Sequence, residues 1–386
     1  SALPNSKAEF LGVDAFAKND KTVLQKEADV LLDDIPVPDS GDGAIVPYDL
    51  SVNFLQRIIK APGAPPEPVL VEHASKARVA EDFLPVVTPS SVNFRWRHRA
   101  RVGSSYEDAT KIKGYRIIVR RHQHASIESE YNLIVWDYVK EFNGSTADDE
   151  LPYSVAWASR NPPTIGHILE WMVQVWDNNY QSSTSSWTKF ALGPEKEADW
   201  KGADWIVHPH DMDTFDTANK LLHTKIKQFG DLRSECKNWK RRRPLPLFRM
   251  KLSLEELNMM EGEQISSALL VMSGLGSFRA SFDGVPLSTS GPVDPPFTDY
   301  SKRIMYRGFD VTPFLLEDTV TSNHVIGITV GSGWWDHRPI TGMAKPHYLP
   351  RGPVTVIAQI IVTFTSGKTR VVGQSSGNRV TNWQVA

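Results

Sequence analysis

Hydrophobic and polar positions alternate with a period of two through most of this chain, the mark of half-buried strands. In "KGYRIIVRR" (113–121), Tyr115, Ile117 and Val119 share one face, and Arg116, Ile118 and Arg120 the other. In "HILEWMVQVWD" (167–177), Leu169, Trp171, Val173 and Val175 fall together. "NFRWRH", "YNLIVWD" and "SSWTKFAL" are further short strands. Residues 69 to 207 thus predict about seven strands separated by turn signals, which together make a β-sandwich. The pattern returns after residue 245. "LFRMKLSL" alternates Phe248, Met250, Leu252 and Leu254, and "SFRASFDGVPLS" alternates Phe278, Ala280 and Phe282 before a hairpin signal at Asp283-Gly284. "VIGITVGSG" and "PVTVIAQIIVTF" follow, the latter placing Val354, Val356, Ala358, Ile360 and Val362 on one face. A second all-β domain, a two-sheet jelly roll, is expected there.

Helical spacing is confined to three stretches. "KTVLQKEADVLLDD" (21–34) carries Val23, Leu24, Ala28, Leu31 and Leu32 on one side. "SVNFLQRIIK" (51–60) predicts a second short helix, and "APGAPPEP" (61–68) a stiff linker. "DTFDTANKLLHTKIKQFGDL" places Leu221, Leu222, Ile226 and Phe229 on an apolar stripe, and "KNWKRRRP" (237–244) closes that segment as a solvated basic loop. The chain is therefore expected to be mainly β. Its divisions are a partly helical segment over 1–65, a first sandwich over 66–207, a helical and basic insert over 208–243, and a second sandwich over 244–386. Limited proteolysis is expected to cut first at Lys240–Arg243.

Composition narrows the function classes. The formal net charge is −2, so no whole-chain field favours nucleic acid. No run of ~18 apolar residues exists, so no helical membrane span is expected. A single cysteine, Cys236, excludes an internal disulfide. The chain opens on Ser1 rather than Met, which fits removal of a signal peptide and favours a secreted protein. Asn143-Gly144-Ser145 is a candidate glycosylation sequon.

The order and wording of the strands resemble the N-terminal half of bacterial-type α-L-rhamnosidases, glycoside hydrolase family 78. The first sandwich resembles the fibronectin-III-like domain of that family through "GYRIIV", "LIVWD", "EWMVQVWDNN", "SSWTKFALG" and "ADWKGADWI". The second resembles its N-terminal jelly roll through "VMSGLGSFRASFDGVPL", "FTDYSKRIMYRGFDVTPFLL", "HVIGITVGSGWWDHR" and "AQIIVTFTSGKTRVVGQSSGNRVTNWQV". The resemblance implies a helical barrel further along the chain that carries the catalytic carboxyl groups, and no position here corresponds to it. This chain alone is therefore expected to be non-catalytic, a carbohydrate-binding or accessory part acting with a separate catalytic or partner chain. A processed fragment of an active rhamnosidase and a structural assembly protein are the alternatives. The family's jelly roll also continues past the position of Ala386, which implies an open sheet edge beside Trp383 and Val385. Residues 1–65, another protein chain or an identical copy would cover that edge, so the native chain is expected not to be a free monomer.

Within this frame, "VGSGWWDHR" (330–338) concentrates the chemistry of sugar recognition. Aromatic faces stack on the apolar C–H face of a sugar, while charged and amide groups bond its hydroxyls. Trp334, Trp335, Asp336, His337 and Arg338, with Tyr348 as a neighbour, are the candidate carbohydrate contacts, and a rhamnose-containing glycan is the candidate ligand. One tryptophan is expected to anchor the turn and the other to face a sugar or a partner surface. Metal signals are weak. His122 with His124, and His208 with His210, give two ligands each, and two do not make a site. Calcium, which some rhamnose-binding jelly rolls of the family use, finds only Asp177-Asn178, in the first sandwich, so no cofactor is expected. No nucleophile elbow, Walker loop or dinucleotide fingerprint occurs.

Overall fold

Strand Ile168–Asp177 sets the pattern of the first half, its ten residues alternating buried and half-buried for most of their length. One face of a strand this regular meets a core, and the other is shared with neighbouring strands and solvent. The computed structural model describes residues 40–41, 45–52, 55–56, 84–100, 111–122, 134–147, 154–159, 162–209, 245–257, 263–287, 303–317, 323–333, 353–376 and 383–385, with 259, 295, 298 and 335 as single positions. The helices expected at 21–34 and 213–232, the linker at 61–68 and the basic run at 237–244 lie outside the described residues.

The first sandwich contains β1 (Ser40–Gly41), β2 (Ile45–Val52), β3 (Leu55–Gln56), β4 (Val86–Val87), β5 (Asn93–Ala100), β6 (Lys111–Arg121), β7 (Ile134–Ala147), β8 (Val155–Ala156), β9 (Ile168–Asp177), β10 (Ser182–Thr184) and β11 (Thr188–Leu192). A seven-stranded sheet forms around β9, which pairs with β6 on one side and with β10 and β11 on the other. The facing sheet has the order β3-β2-β5-β8. Register follows the alternation read from sequence, with Ile117 opposite Val173 and Val119 opposite Trp171. These side chains meet Phe94, Phe190 and Val52 in one core, where the Phe94 and Trp171 rings lie 4.8 Å apart. The short helix expected at 51–60 is corrected. Ser51 and Val52 end a strand that pairs with β5, and Leu55–Gln56 turns back on it. Val52 is 1% exposed, so burial against the sandwich core overrides a weak helical pattern. A strand inside the expected N-terminal segment therefore belongs to the first sandwich.

The second sandwich contains β12 (Ile206–Val207), β13 (Leu247–Ser253), β14 (Ile265–Leu275), β15 (Ser277–Phe282), β16 (Val285–Pro286), β17 (Arg307–Asp310), α1 (Thr312–Glu317), β18 (Asn323–Gly331), β19 (Thr355–Phe364), β20 (Thr369–Val372) and β21 (Trp383–Val385). One sheet runs β12-β19-β14-β17 with β20 also on β19, and the other runs β16-β15-β18-β13-β21. β12, which falls before the boundary expected at 207, pairs with β19 of the second sandwich. Phe248, Met250, Phe278, Phe282, Ile326, Ile328 and Val356 fill the space between the sheets. Trp383 and Val385 are half-buried on this core, because β21 pairs with β13 and places Phe248 opposite Val385. Part of their cover thus comes from this sandwich itself.

β14 and β19 are buried on nearly every residue rather than alternately. Both faces of their sheet are covered. One face meets the sandwich core. On the other, Leu269, Val271, Ile357 and Ile361 pack with Leu84, Val86, Ile168, Ala191, Trp200 and Tyr306 in a separate apolar cluster that joins the two sandwiches. Across this seam Tyr306 Oη donates to Pro194 O at 3.0 Å, Gln359 Nε2 donates to Asp199 O at 3.0 Å, and Ser375 Oγ donates to Asp204 O at 2.7 Å. At Gly193 a Cβ would collide with the Tyr306 hydroxyl and with Val86, so the backbone approach there requires glycine.

Candidate functional site

The candidate sugar-binding turn leaves the end of β18 through Gly331, Ser332 and Gly333. Gly333 has φ +50, a left-handed conformation that disfavours side chains, and a Cβ there would lie 2.9 Å from Ser277 Oγ. The turn is therefore seated directly on the β14–β15 connection. Trp335 is half-buried, and its indole N–H donates to Pro353 O at 3.0 Å. This bond ties the loop leaving β18 to the segment entering β19, which is the anchoring role expected of one tryptophan in the pair. Trp334, Asp336, His337, Arg338 and Tyr348 lie outside the described residues, so Trp335 alone of the six is placed. Asn143 lies in β7, which among the described residues is an edge strand of the seven-stranded sheet.

A second concentration of chemistry sits on the seam around His122, with partners that the sequence did not assign to it. His122 follows β6 and is 12% exposed at its side chain. Its Nδ1 lies 2.9 Å from Glu170 Oε1 on β9, and its Nε2 lies 4.0 Å from Asp310 Oδ2 on β17 of the other sandwich. Arg120 binds Glu170 Oε2 through Nε at 2.8 Å and stacks its guanidinium 3.8 Å above the Trp187 ring. Lys189 Nζ lies 3.6 Å from Asp310 Oδ2. Burial raises the pKa of the Glu170 carboxyl, but hydrogen bonds and charges from His122 and Arg120 outweigh it and hold the group at about 2. Two carboxylates flank one imidazole here, each with its own cation. Their side chains are only 13% and 5% exposed, so the arrangement closes the seam and leaves no room for a glycosidic bond between them. His122 is thus largely buried at the seam. What the sequence could have shown is the pattern "RRH", where β6 ends in basic groups and Arg120 stands opposite Glu170 on the adjacent strand β9.

Among the described residues no cluster of three or more His, Cys, Asp and Glu is placed to hold an ion. Asp177, the carboxylate of the only Asp-Asn pair weighed for calcium, is 1% exposed, and its Oδ1 accepts the backbone N–H groups of Asn179 and Gln181 at 2.9 Å each. That bonding shapes the β9–β10 turn, where Tyr180 adopts φ +61. Among the described residues no helix is long and apolar enough to cross a membrane.

Comparison with known proteins bears directly on the second sandwich. Residues 263–385 match the alpha-L-rhamnosidase N-terminal domain. An α-L-rhamnosidase of Alteromonas sp. (strain LOR) is 23% identical over 203 residues, which make up 52% of this chain and 18% of that enzyme. The native α-L-rhamnosidase structure from Aspergillus terreus superposes with a TM-score of 0.52 at 18% identity, over 80% of this chain and 29% of that one. The α-L-rhamnosidase structure from Dictyoglumus thermophilum gives a TM-score of 0.49 at 17% identity, over 88% and 29%. The chain spans less than a third of the length of each of these relatives. By domain match and by shared fold, this chain resembles the N-terminal region of α-L-rhamnosidases of the family 78 type.

Proposed function

We infer that this chain is a non-catalytic, carbohydrate-binding accessory region of an α-L-rhamnosidase-like protein. In this reading it presents a sugar to a catalytic unit carried elsewhere, on a continuing or partner chain. The observation that carries the reading is the rhamnosidase N-terminal match over 263–385, which falls on the sandwich holding the Trp335 turn. In this reading Trp334, Asp336, His337, Arg338 and Tyr348 supply the stacking and hydroxyl-binding groups, and a rhamnose-containing glycan is the ligand. Purified chain incubated with an aryl α-L-rhamnoside is expected to release no aglycone, while on a glycan array it retains rhamnose-terminated glycans. Turnover that co-purifies with the chain through two orthogonal columns refutes the non-catalytic role. A blank array refutes carbohydrate binding.

A further inference from the structure

Where the two sandwiches meet, the seam opens into a cleft of about 200 Å³ lined by Thr164, Ile165, Asp199, Lys201, Ile361 and Thr369, with Val371 beside them. Three segments build it: the loop before β9, the turn at 199–201, and strands β19 and β20. Its floor is aliphatic. Ile361 is 2% exposed, and Ile165 and Val371 pack half-buried on the same apolar cluster. Its rim is polar, with Thr164 and Lys201 exposed and Asp199 and Thr369 half-buried.

The rim is held in place before any ligand arrives. Asp199 Oδ2 accepts the backbone N–H groups of Glu195 and Lys196, both at 3.0 Å, so the carboxylate is oriented by the local turn. The backbone carbonyl of Asp199 accepts Gln359 Nε2 at 3.0 Å, and that of Lys201 accepts Gln374 Nε2 at 3.3 Å, pinning the segment to the second sandwich. A rim fixed from both sides loses little freedom when it binds.

Size and chemistry select the ligand. Drug-sized sites run to about 300–1,000 Å³, so this cleft takes a single small ring. One cation and one carboxylate on the rim offset each other and suit a neutral molecule. Threonine hydroxyls both donate and accept, a carboxylate accepts and an ammonium donates, which matches a ring of hydroxyls. Among the described residues no aromatic ring lines the floor, and branched aliphatic side chains suit a methyl substituent instead. We propose that the seam cleft is a binding site for a single 6-deoxyhexose, with the sugar's methyl on Ile165, Ile361 and Val371 and its hydroxyls on Thr164, Asp199, Lys201 and Thr369. This deepens the carbohydrate reading above and rests on it, but at a different place from the Trp335 turn.

The test is methyl-resolved NMR on the full chain with labelled Ile and Val, titrated with L-rhamnose and with L-mannose, which differs by a hydroxyl on the methyl carbon. The methyl signals of Ile165, Ile361 and Val371 are expected to move saturably with a Kd of about 1 mM. L-mannose is expected to bind about tenfold more weakly, because its hydroxyl meets an apolar floor. Thr369→Phe fills the cleft and abolishes the shifts. If that variant loses its native spectrum, the exposed Lys201→Ala decides, with an expected loss of about threefold or more in affinity. Unmoved cleft methyls at about 50 mM L-rhamnose, far above the expected Kd, overturn the cleft site; if the glycan array is positive at the same time, the carbohydrate reading survives without it. A blank array together with unmoved methyls overturns both. Equal shifts with L-mannose or glycerol overturn the deoxyhexose assignment, as does Lys201→Ala binding unchanged.

Discussion

Replacing Gly166 with alanine tests whether the two sandwiches are built against each other at single-atom clearance. Gly166 has φ +97, where an L side chain is strained, and a Cβ there lands on Ile361 Cγ2 with Ile361 Cβ only 2.8 Å away. Its backbone cannot yield easily. The N–H donates to Leu192 O at 2.7 Å within the first sandwich, and the carbonyl accepts Thr363 Oγ1 at 3.3 Å from the second. The unfavourable φ costs about 1–3 kcal/mol, and overpacking a filled site adds about 1–3 kcal/mol. The sum, about 2–6 kcal/mol, is a large share of a typical folding free energy of about 5–15 kcal/mol. Urea unfolding followed by tryptophan fluorescence should show a lower midpoint, and a separate transition for each sandwich if the seam gives way first. Ile361→Ala alone costs about 2–5 kcal/mol through the cavity it leaves. In the double variant the new methyl at 166 enters that space, so the combined loss falls short of the sum by about 1–3 kcal/mol. Strictly additive losses, or a Gly166→Ala midpoint equal to wild type, refute the contact.

Three further outcomes follow from the bonding around the seam and the turns. Glu170 is held at about 2 against an ordinary 4.5, a depressed folded value, so its contribution to stability is present above about 4.5 and is lost as pH falls from there through about 2. Glu170→Gln should flatten the fall of the urea midpoint over that window, and an unchanged slope would count against the ion-pair assignment. Asp177→Ala removes the acceptor of two backbone N–H groups in a site 1% exposed, and thermal unfolding should report a loss of about 1–3 kcal/mol. Trp335→Phe keeps an aromatic ring but deletes the N–H bound to Pro353 O; hydrogen exchange at residues 331–335 should accelerate with a stability loss of about 1 kcal/mol, and unchanged exchange would deny the anchor.

Period-two alternation by itself determined the all-β architecture and the inward sets of β6, β9, β13 and β15. A half-buried strand writes its burial directly into sequence, one residue in and the next out. The Asp283-Gly284 hairpin was legible for the same local reason, since Asp283 at φ +49 and Gly284 at φ +80 take the left-handed pair that such a turn demands. Partnership across long separations was not. The strand at 45–52 carried only a weak pattern, and its pairing with β5 decided its state. In β19, Val354, Val356, Ala358, Ile360 and Val362 were read as one inward face, while Ile357, Gln359 and Ile361 on the opposite side had no assigned use. Only the packing of the second sandwich against the first revealed that this side is buried as well, because a sheet covered on both faces loses its alternation. The glycines at 166 and 193, the His122 bridge between Glu170 and Asp310, and the cleft over Ile361 all lie on that seam. No window of sequence contains both halves of such a contact. Local periodicity therefore specified each sandwich, and the apolar surface left over on the strands, matched between distant segments, determined how the sandwiches join and where a ligand could enter between them.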